Sequence, residues 1–223
     1  MKKYKGVLFD LDGTLVDNYT AIYNTVCETF AERGLPPPSY DVVFHTVGGS
    51  ILLTVTKLLK PVGREAEAEE MSRRYLSLFK KHVFDGLKAM KYAPEILGAL
   101  KAEGLKLACF TNKQQEGADE ILARLGLSQY LDAIVATTLH SPRKPEPEFT
   151  RTALAALSLD AEDVLGIGDS PYDYKAARAV GADSAIVATG GDSAEFLRSE
   201  CPLAIGVYPD FKALAASVFG VAL

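Results

Sequence analysis

The sequence is poor in cysteine and contains no long uninterrupted apolar run. Its three cysteines, Cys27, Cys109 and Cys201, are odd in number and far apart, which excludes a disulfide framework and a paired-cysteine metal site. No apolar stretch approaches the roughly 20 residues of a membrane helix. The short run behind the basic amino terminus stops at Asp10, so it does not resemble a signal peptide. We therefore expect a protein of the reducing cytoplasm that has no membrane partner.

Positive charge is also in deficit. The chain has 24 Lys and Arg against 29 Asp and Glu, a net charge of -5, whereas nucleic-acid binding requires a basic surface. An anionic substrate is still compatible with this balance, because a local metal ion or lysine can reverse the field at one site. With 223 residues, of which 48% are apolar, the chain can form one large domain or two smaller ones.

Short β-rich runs alternate with helix-like stretches over most of the chain. Most of these runs are continuously apolar, which is typical of strands buried on both faces of a parallel sheet. The predicted strands are Gly6 to Asp10, Lys106 to Thr111, Ala133 to Thr137, Val164 to Gly168 and Ser184 to Ala188. The predicted helices between them are Ala93 to Glu103, Glu116 to Leu125, Glu148 to Leu157 and Asp173 to Val180. The pattern predicts an α/β fold with a doubly wound, Rossmann-like parallel sheet.

Residues 18–88 interrupt this alternation, because they are typical of helix throughout. We interpret them as an inserted α-helical cap domain, with residues 1–17 and 89–223 forming the α/β core. An insert directly after the first strand is expected at the carboxyl ends of the strands, where open α/β sheets bind their ligands.

Two aspartates follow the first predicted strand in the segment Phe9-Asp10-Leu11-Asp12-Gly13-Thr14. In an extended segment, residues two apart point the same way, so Asp10 and Asp12 can face one site. Two such carboxylates repel each other unless a cation or a shared proton intervenes. Taken alone, the segment also fits ordinary turn and helix-capping chemistry.

Polar residues follow three later strands as well. These are Thr111-Asn112-Lys113, Lys144-Pro145-Glu146-Pro147 and Gly168-Asp169-Ser170-Pro171-Tyr172-Asp173. Each group alone is explained by strand propensity, capping, a turn or a solvated lysine. Because the carboxyl ends of parallel strands meet at one edge of the sheet, the four groups together indicate a functional site.

These motifs, in this order, resemble those of the haloacid dehalogenase superfamily, in its phosphatase branch with a helical cap. The resemblance covers essentially the whole chain. It implies a Mg²⁺ cofactor and a nucleophile, Asp10, that becomes an aspartyl phosphate and also binds the metal. It implies that Asp12 contributes its backbone carbonyl to the metal and acts as general acid and then general base. Asp169 would complete the metal ligands with support from Asp173, and Thr111, Asn112 and Lys144 would bind the phosphoryl oxygens.

The acid at Asp12 separates this chain from dehalogenases and phosphonate-cleaving relatives, which typically lack it, and favours phosphate-ester hydrolysis or phosphomutase chemistry. Similarity to phosphoglycolate-phosphatase-like proteins makes a small phosphorylated metabolite the leading substrate class. The chain departs from its relatives at two places. Phe44 occupies a position where relatives often carry an arginine, and Tyr92 stands near the end of the cap, where a glycine is common.

Two alternatives to a phosphatase remain open: a phosphosugar mutase, similar to β-phosphoglucomutase, and a catalytically silent phosphate-binding protein. The intact set of acids, lysine and threonine argues against the silent protein. The histidines His45, His82 and His140 lack metal-ligand spacing and are interpreted as incidental. We expect a monomer or a homodimer.

Overall fold

The computed structural model describes residues 4–138 and 141–223, and His140 lies outside them. The chain divides into two compact units. One contains the chain up to Val16 together with Ala89–Leu223, and the other is Asp17–Lys88. The boundary on the amino-terminal side lies one residue before the predicted one. Within the described residues, no helix combines the length and the apolar character needed to cross a bilayer.

The unit Asp17–Lys88 is helical. Its four α-helices are α1 (Tyr19–Ala31), α2 (Tyr40–Thr46), α3 (Ile51–Leu59) and α4 (Ala68–His82). Serine side chains begin two of them, since Ser39 and Ser50 each accept a hydrogen bond from a backbone N–H of the first turn, both at 3.3 Å. Phe44 lies in an aromatic cluster, with its ring 4.6 Å from that of Tyr19 and 6.3 Å from that of Tyr40.

The larger unit is built on a six-stranded parallel sheet. The described residues contain eight strands, of which six form this sheet and two form a separate pair. In chain order they are β1 (Gly6–Phe9), β2 (Val16–Asp17), β3 (Lys88–Ala89), β4 (Lys106–Gln114), β5 (Ala133–Thr137), β6 (Val164–Gly168), β7 (Asp183–Val187) and β8 (Val207–Tyr208). The order across the main sheet is β5-β4-β1-β6-β7-β8, and β2 pairs with β3 separately. The central register places Leu8 opposite Ala108 on one side and Gly166 on the other.

Helices cover both faces of this sheet. They are α5 (Ala93–Ala102), α6 (Gln115–Arg124), α7 (Pro147–Leu157), α8 (Pro171–Arg178), α9 (Ala194–Glu200) and α10 (Phe211–Leu214), which continues as the π-helical turn Ala215–Phe219. Short 3₁₀ turns occur at Lys60–Val62, Glu65–Glu67, Ser128–Tyr130 and Ala161–Asp163. Leu8 belongs to a core cluster with Phe149 and Leu157 of α7. Its neighbour Phe9 makes an edge contact with Phe211 of α10, 6.0 Å between ring centroids. Consecutive residues of one strand thus pack against different layers.

The predicted doubly wound α/β class is therefore confirmed. All five predicted strands and all four predicted core helices are present, with ends shifted by up to three residues. The elements β8, α9 and α10 were not predicted, because they are short and follow the last strong strand.

Tyr92 shows why a glycine would suit its position. Its backbone φ is +67°, in the left-handed region that side chains other than glycine seldom adopt. Two ammonium groups lie near its ring, with Lys91 Nζ 4.8 Å and Lys212 Nζ 5.9 Å from the centroid, a contact that a glycine could not make.

Candidate active site

The segment after β1 is a closed turn that directs its two aspartates. Asp10 continues the sheet with its N–H, which donates to the carbonyl of Ile167 at 2.9 Å. Gly13 adopts φ +84°, and its N–H donates to the carbonyl of Val16 at 2.9 Å. The side chains of Asp10 and Asp12 retain 13% and 21% exposure respectively, so both are partly open to solvent.

Three aspartates from two strand ends form one acidic cluster. One carboxylate oxygen from each of Asp10, Asp169 and Asp173 lies within 4.8 Å of the other two. Thr14 Oγ1 holds Asp169 by donating to its Oδ1 at 3.0 Å. The Oγ of Ser170 donates to Asp173 Oδ2 at 2.6 Å. The expected convergence of the β1 and β6 motifs is therefore present.

Lys144 provides the positive charge of this cluster. Its Nζ donates to Asp10 Oδ1 and to Asp173 Oδ1, both at 2.6 Å, and its side chain is only 3% exposed. Asn112 fixes the main chain of this lysine: its Oδ1 accepts from the Lys144 N–H at 2.7 Å, and its Nδ2 donates to the Lys144 carbonyl at 3.2 Å. Asn112 thus positions Lys144, a contact that the sequence did not predict. Thr111, which was also predicted to bind the phosphoryl group, is buried in β4 next to Asn112.

The electrostatics of the cluster follow from burial. Burial raises the pKa of Asp10 to about 7; the charges of Asp173 and Asp12 act in the same direction, and Lys144 opposes them. Burial also raises the pKa of Asp169 well above its usual range, reinforced by the charges of Asp10 and Asp173. Burial alone would lower the pKa of Lys144, but its two carboxylate partners outweigh it and the pKa rises above its ordinary value. One ammonium therefore faces three carboxyl groups.

This excess of negative charge is suited to a metal ion. Carboxylate oxygens are the ligands that a hard divalent cation prefers, and one from each of Asp10, Asp169 and Asp173 lies within 4.8 Å of the others, so the three can hold such an ion. Asp173 already uses Oδ1 for Lys144 and Oδ2 for Ser170. Its role as a support for the other two stays a prediction.

Lys113 makes a contact with the opening motif that sequence reasoning missed. Its Nζ lies 3.0 Å from Asp12 Oδ2 and 3.2 Å from Oδ1. The side chains are 10% and 21% exposed. The available signal was its place directly after Thr111 and Asn112 at the end of β4.

The loop after β7 also reaches the site and was not predicted. Thr189 Oγ1 donates to the carbonyl of Gly13 at 2.6 Å. The chain at Gly190 lies so close to Asp169 that an added Cβ would be 1.7 Å from Asp169 Oδ2. The signal in the sequence was the pair Gly190-Gly191 shortly after the last predicted strand.

Comparison with known proteins agrees with this geometry. A family model described as haloacid dehalogenase-like hydrolase matches residues 7–187. A phosphoglycolate phosphatase of Rhodospirillum rubrum is 33% identical over 217 residues, which cover 94% of this chain and 89% of that protein. A plasmid-encoded phosphoglycolate phosphatase of Cupriavidus necator is 36% identical over 194 residues, with 82% and 80% covered.

Solved structures give the same result. The crystal structure of a predicted phosphatase from Clostridium acetobutylicum superposes with a TM-score of 0.87 at 26% identity, covering 99% of this chain and 100% of that one. The resemblance inferred from the four motifs is thereby confirmed. The chain belongs to the haloacid dehalogenase-like hydrolase family.

Proposed function

We propose that this protein is a Mg²⁺-dependent phosphatase that hydrolyses a small phosphomonoester through an aspartyl phosphate on Asp10. The observation that carries the proposal is the cluster that Asp10, Asp169 and Asp173, which follow the adjoining strands β1 and β6, form with Lys144. Phosphoryl transfer needs an oxygen nucleophile and positive charge beside the phosphoryl oxygens, and this cluster supplies both. The names of the two bacterial relatives support hydrolysis over a mutase reaction.

Each residue has a role in the proposed mechanism. Asp10 attacks phosphorus with a carboxylate oxygen, and the bond from phosphorus to the ester oxygen breaks. Asp12 gives its proton to the departing oxygen, because an alkoxide is a poor leaving group. A water molecule then attacks the phosphoryl group and gives a proton back to Asp12, while the bond to Asp10 breaks and inorganic phosphate leaves.

The remaining residues bind and orient. Lys144 neutralises charge on Asp10 and on the phosphoryl oxygens, with Asn112 holding its main chain and Thr111 contributing its hydroxyl. The Mg²⁺ ion would be held by Asp10, the carbonyl of Asp12 and Asp169, with Asp173 behind them. When bound, it neutralises the phosphoryl charge and favours in-line geometry. We assign part of the selection among phosphorylated metabolites to the helical unit, Asp17–Lys88. Cytoplasmic location and a monomeric or homodimeric state stay predictions from the sequence.

The experiment is phosphate release from phosphoglycolate and a panel of sugar phosphates, with Mg²⁺ and with EDTA. We expect turnover that chelation abolishes and Mg²⁺ restores, with phosphate as a product. Isomerisation of a sugar phosphate without phosphate release would instead identify a mutase.

Asp10→Asn should retain the fold and lose essentially all turnover, because an amide cannot form the aspartyl phosphate. The exposed residue Asp160 offers a matched control, since Asp160→Asn removes the same charge and should retain full activity. Mass spectrometry of rapidly quenched wild type should place a phosphoryl group on Asp10. A label on another residue would refute the assignment.

A further inference from the structure

The salt bridge between Lys113 and Asp12 has no role in the mechanism above. The ammonium contacts both oxygens of the carboxylate, at 3.0 and 3.2 Å. Lys113 is 10% exposed, whereas Lys144 is 3% exposed and bound to two other acids. The two lysines therefore contact different parts of the site. Lys113 contacts Asp12, the aspartate that protonates the leaving oxygen in the proposed mechanism.

The backbone around Lys113 is fixed in place. The pairing of β4 with β5 shifts register between Phe110 and Gln114, and such irregularities redirect side chains near active sites. Thr137 Oγ1 lies 3.0 Å from the carbonyl oxygens of both Asn112 and Lys113. The Lys113 N–H donates to Thr111 Oγ1 at 3.1 Å. Its direction toward Asp12 is thus set by the end of the strand.

This position puts a cation beside the alcohol portion of a substrate. A general acid works within hydrogen-bonding reach of the oxygen it protonates. With Lys113 Nζ bonded to that acid, the ammonium lies roughly 4–6 Å from the leaving oxygen. A carboxylate one carbon from the ester oxygen falls within hydrogen-bonding distance of an ammonium there. A largely desolvated lysine gains most from such a charged partner.

We propose that Lys113 determines specificity at this site by binding a carboxylate on the alcohol portion of the substrate. The proposal rests on the function proposed above and narrows its substrate class to phosphate esters of short hydroxy acids.

The test compares two esters of equal size, phosphoglycolate and its amide, carbamoylmethyl phosphate. They differ in one charge and share the reacting phosphoryl group. Wild type should prefer phosphoglycolate in kcat/KM by about 10- to 100-fold, the range of one charge-assisted hydrogen bond. Lys113→Met should reduce that preference to within about threefold, mainly by raising KM for phosphoglycolate, because the neutral side chain keeps bulk and loses charge.

Two variants serve as controls. Lys113→Arg keeps the charge and should keep most of the preference. Lys175→Met removes the same charge from an exposed position on α8 and should match wild type. Circular dichroism of each variant checks that it is folded.

Other outcomes separate the inference from the proposed function. Equal losses on both esters in Lys113→Met would overturn the inference, because the lysine would then act only by orienting Asp12. Equal kcat/KM values for the two esters in wild type would also overturn it. The proposed function would still be supported in that case, because phosphate would be released from both esters. Absence of phosphate release from both esters and from p-nitrophenyl phosphate would reject the proposed function itself.

Discussion

At the scale of single residues, the two aspartates of the opening loop are two positions apart but have unlike partners. Asp10 accepts a hydrogen bond from the buried Lys144, whereas both oxygens of Asp12 contact the more exposed Lys113. The first carboxylate is thus placed beside the lysine that we propose binds the phosphoryl group. The second lies on a more open side, which suits the proposed transfer of a proton to a departing alcohol.

The Asp12→Ala variant tests this division. An alkyl alcohol needs a proton to leave, whereas nitrophenolate is stable as an anion. Asp12→Ala should therefore slow phosphorylation of Asp10 by about 10²–10⁴-fold with an alkyl phosphate, and far less with p-nitrophenyl phosphate. Because the proposed mechanism also uses Asp12 to activate water in the second step, the measurement is single-turnover release of the leaving group. Equal losses on the two substrates would mean that Asp12 serves the metal site or the fold.

At the scale of elements, the loop after β7 acts on the site without contributing a charged group. Thr189 ties it to the carbonyl of Gly13, and the chain at Gly190 touches Asp169. Asp169 is only 7% exposed, and Thr14 holds its other oxygen. The carboxylate therefore has little room to move away from a new methyl group.

Gly190→Ala should displace Asp169 and lower kcat by about 100-fold, the effect of a misplacement near 1 Å. A higher Mg²⁺ concentration should also be needed for half-maximal activity. The matched control is Gly98→Ala in α5, where the new Cβ would meet only Tyr130 at 3.6 Å, an ordinary contact. If Gly190→Ala kept wild-type kcat and Mg²⁺ dependence, the loop would have no positioning role.

In the helical unit, His82 joins α1 to the end of α4 through two carboxylates. Its Nε2 lies 2.7 Å from Glu28 Oε2, and its Nδ1 lies 2.7 Å from Asp85 Oδ2. Burial lowers the pKa of His82, but the hydrogen bonds of the two carboxylates outweigh it and the pKa is raised. Hydrogen bonds from Lys81 and, to a smaller extent, His82 lower the pKa of Glu28. Hydrogen bonds from Asn24 and, to a smaller extent, His82 lower the pKa of Asp85.

These directions predict that the contribution of this network to stability is greatest in mildly acidic solution. The contribution of His82 is complete below its unfolded pKa, about 6.5, and is lost as pH rises through the higher folded value. The contributions of Glu28 and Asp85 are present above about pH 4.5 and are lost on further acidification. The free energy of unfolding in urea should fall for wild type as the pH rises from 5.5 to 8.5. For His82→Gln it should fall by less, because the variant has no imidazole to lose its proton. Parallel curves for the two proteins would show that His82 is not ionised in the folded unit.

At the scale of the whole molecule, the sequence predicts the strands best where burial is greatest. Strands β1, β6 and β7 are covered on both faces, so their apolar runs are continuous and unambiguous. The two-residue strand β8 and the four-residue helix α10 carry too few residues for any period to show.

The site divides in the same way. Asp10, Asp169, Asp173 and Lys144 were predictable because strand ends of a parallel sheet converge, and the structure brings them together. The salt bridge of Lys113 was not, because it depends on a local shift in strand register. Such a shift leaves no periodic signal in the sequence.

The excess of carboxyl groups in the acidic cluster also affects the stability of the whole molecule, and a metal ion would reduce the repulsion among them. Three carboxyl groups with one ammonium among them disfavour the folded state when no cation is bound. An ion that binds the folded chain stabilises it by mass action, by about 2.7 kcal/mol at 100 times its Kd. For a chain of this length such a gain is a rise in Tm of about 5–10 °C.

We therefore expect Mg²⁺ to raise the Tm of wild type progressively, measured by calorimetry against NaCl of equal ionic strength. Asp169→Asn should have a higher Tm than wild type in EDTA, because the amide keeps the Thr14 hydrogen bond and cannot acquire the charge that burial disfavours. The same variant should lose most of the response to Mg²⁺, since a ligand is missing. Glu120→Gln, which removes one charge from the exposed face of α6, should respond like wild type. A full Mg²⁺ response in Asp169→Asn would place the metal elsewhere in the protein.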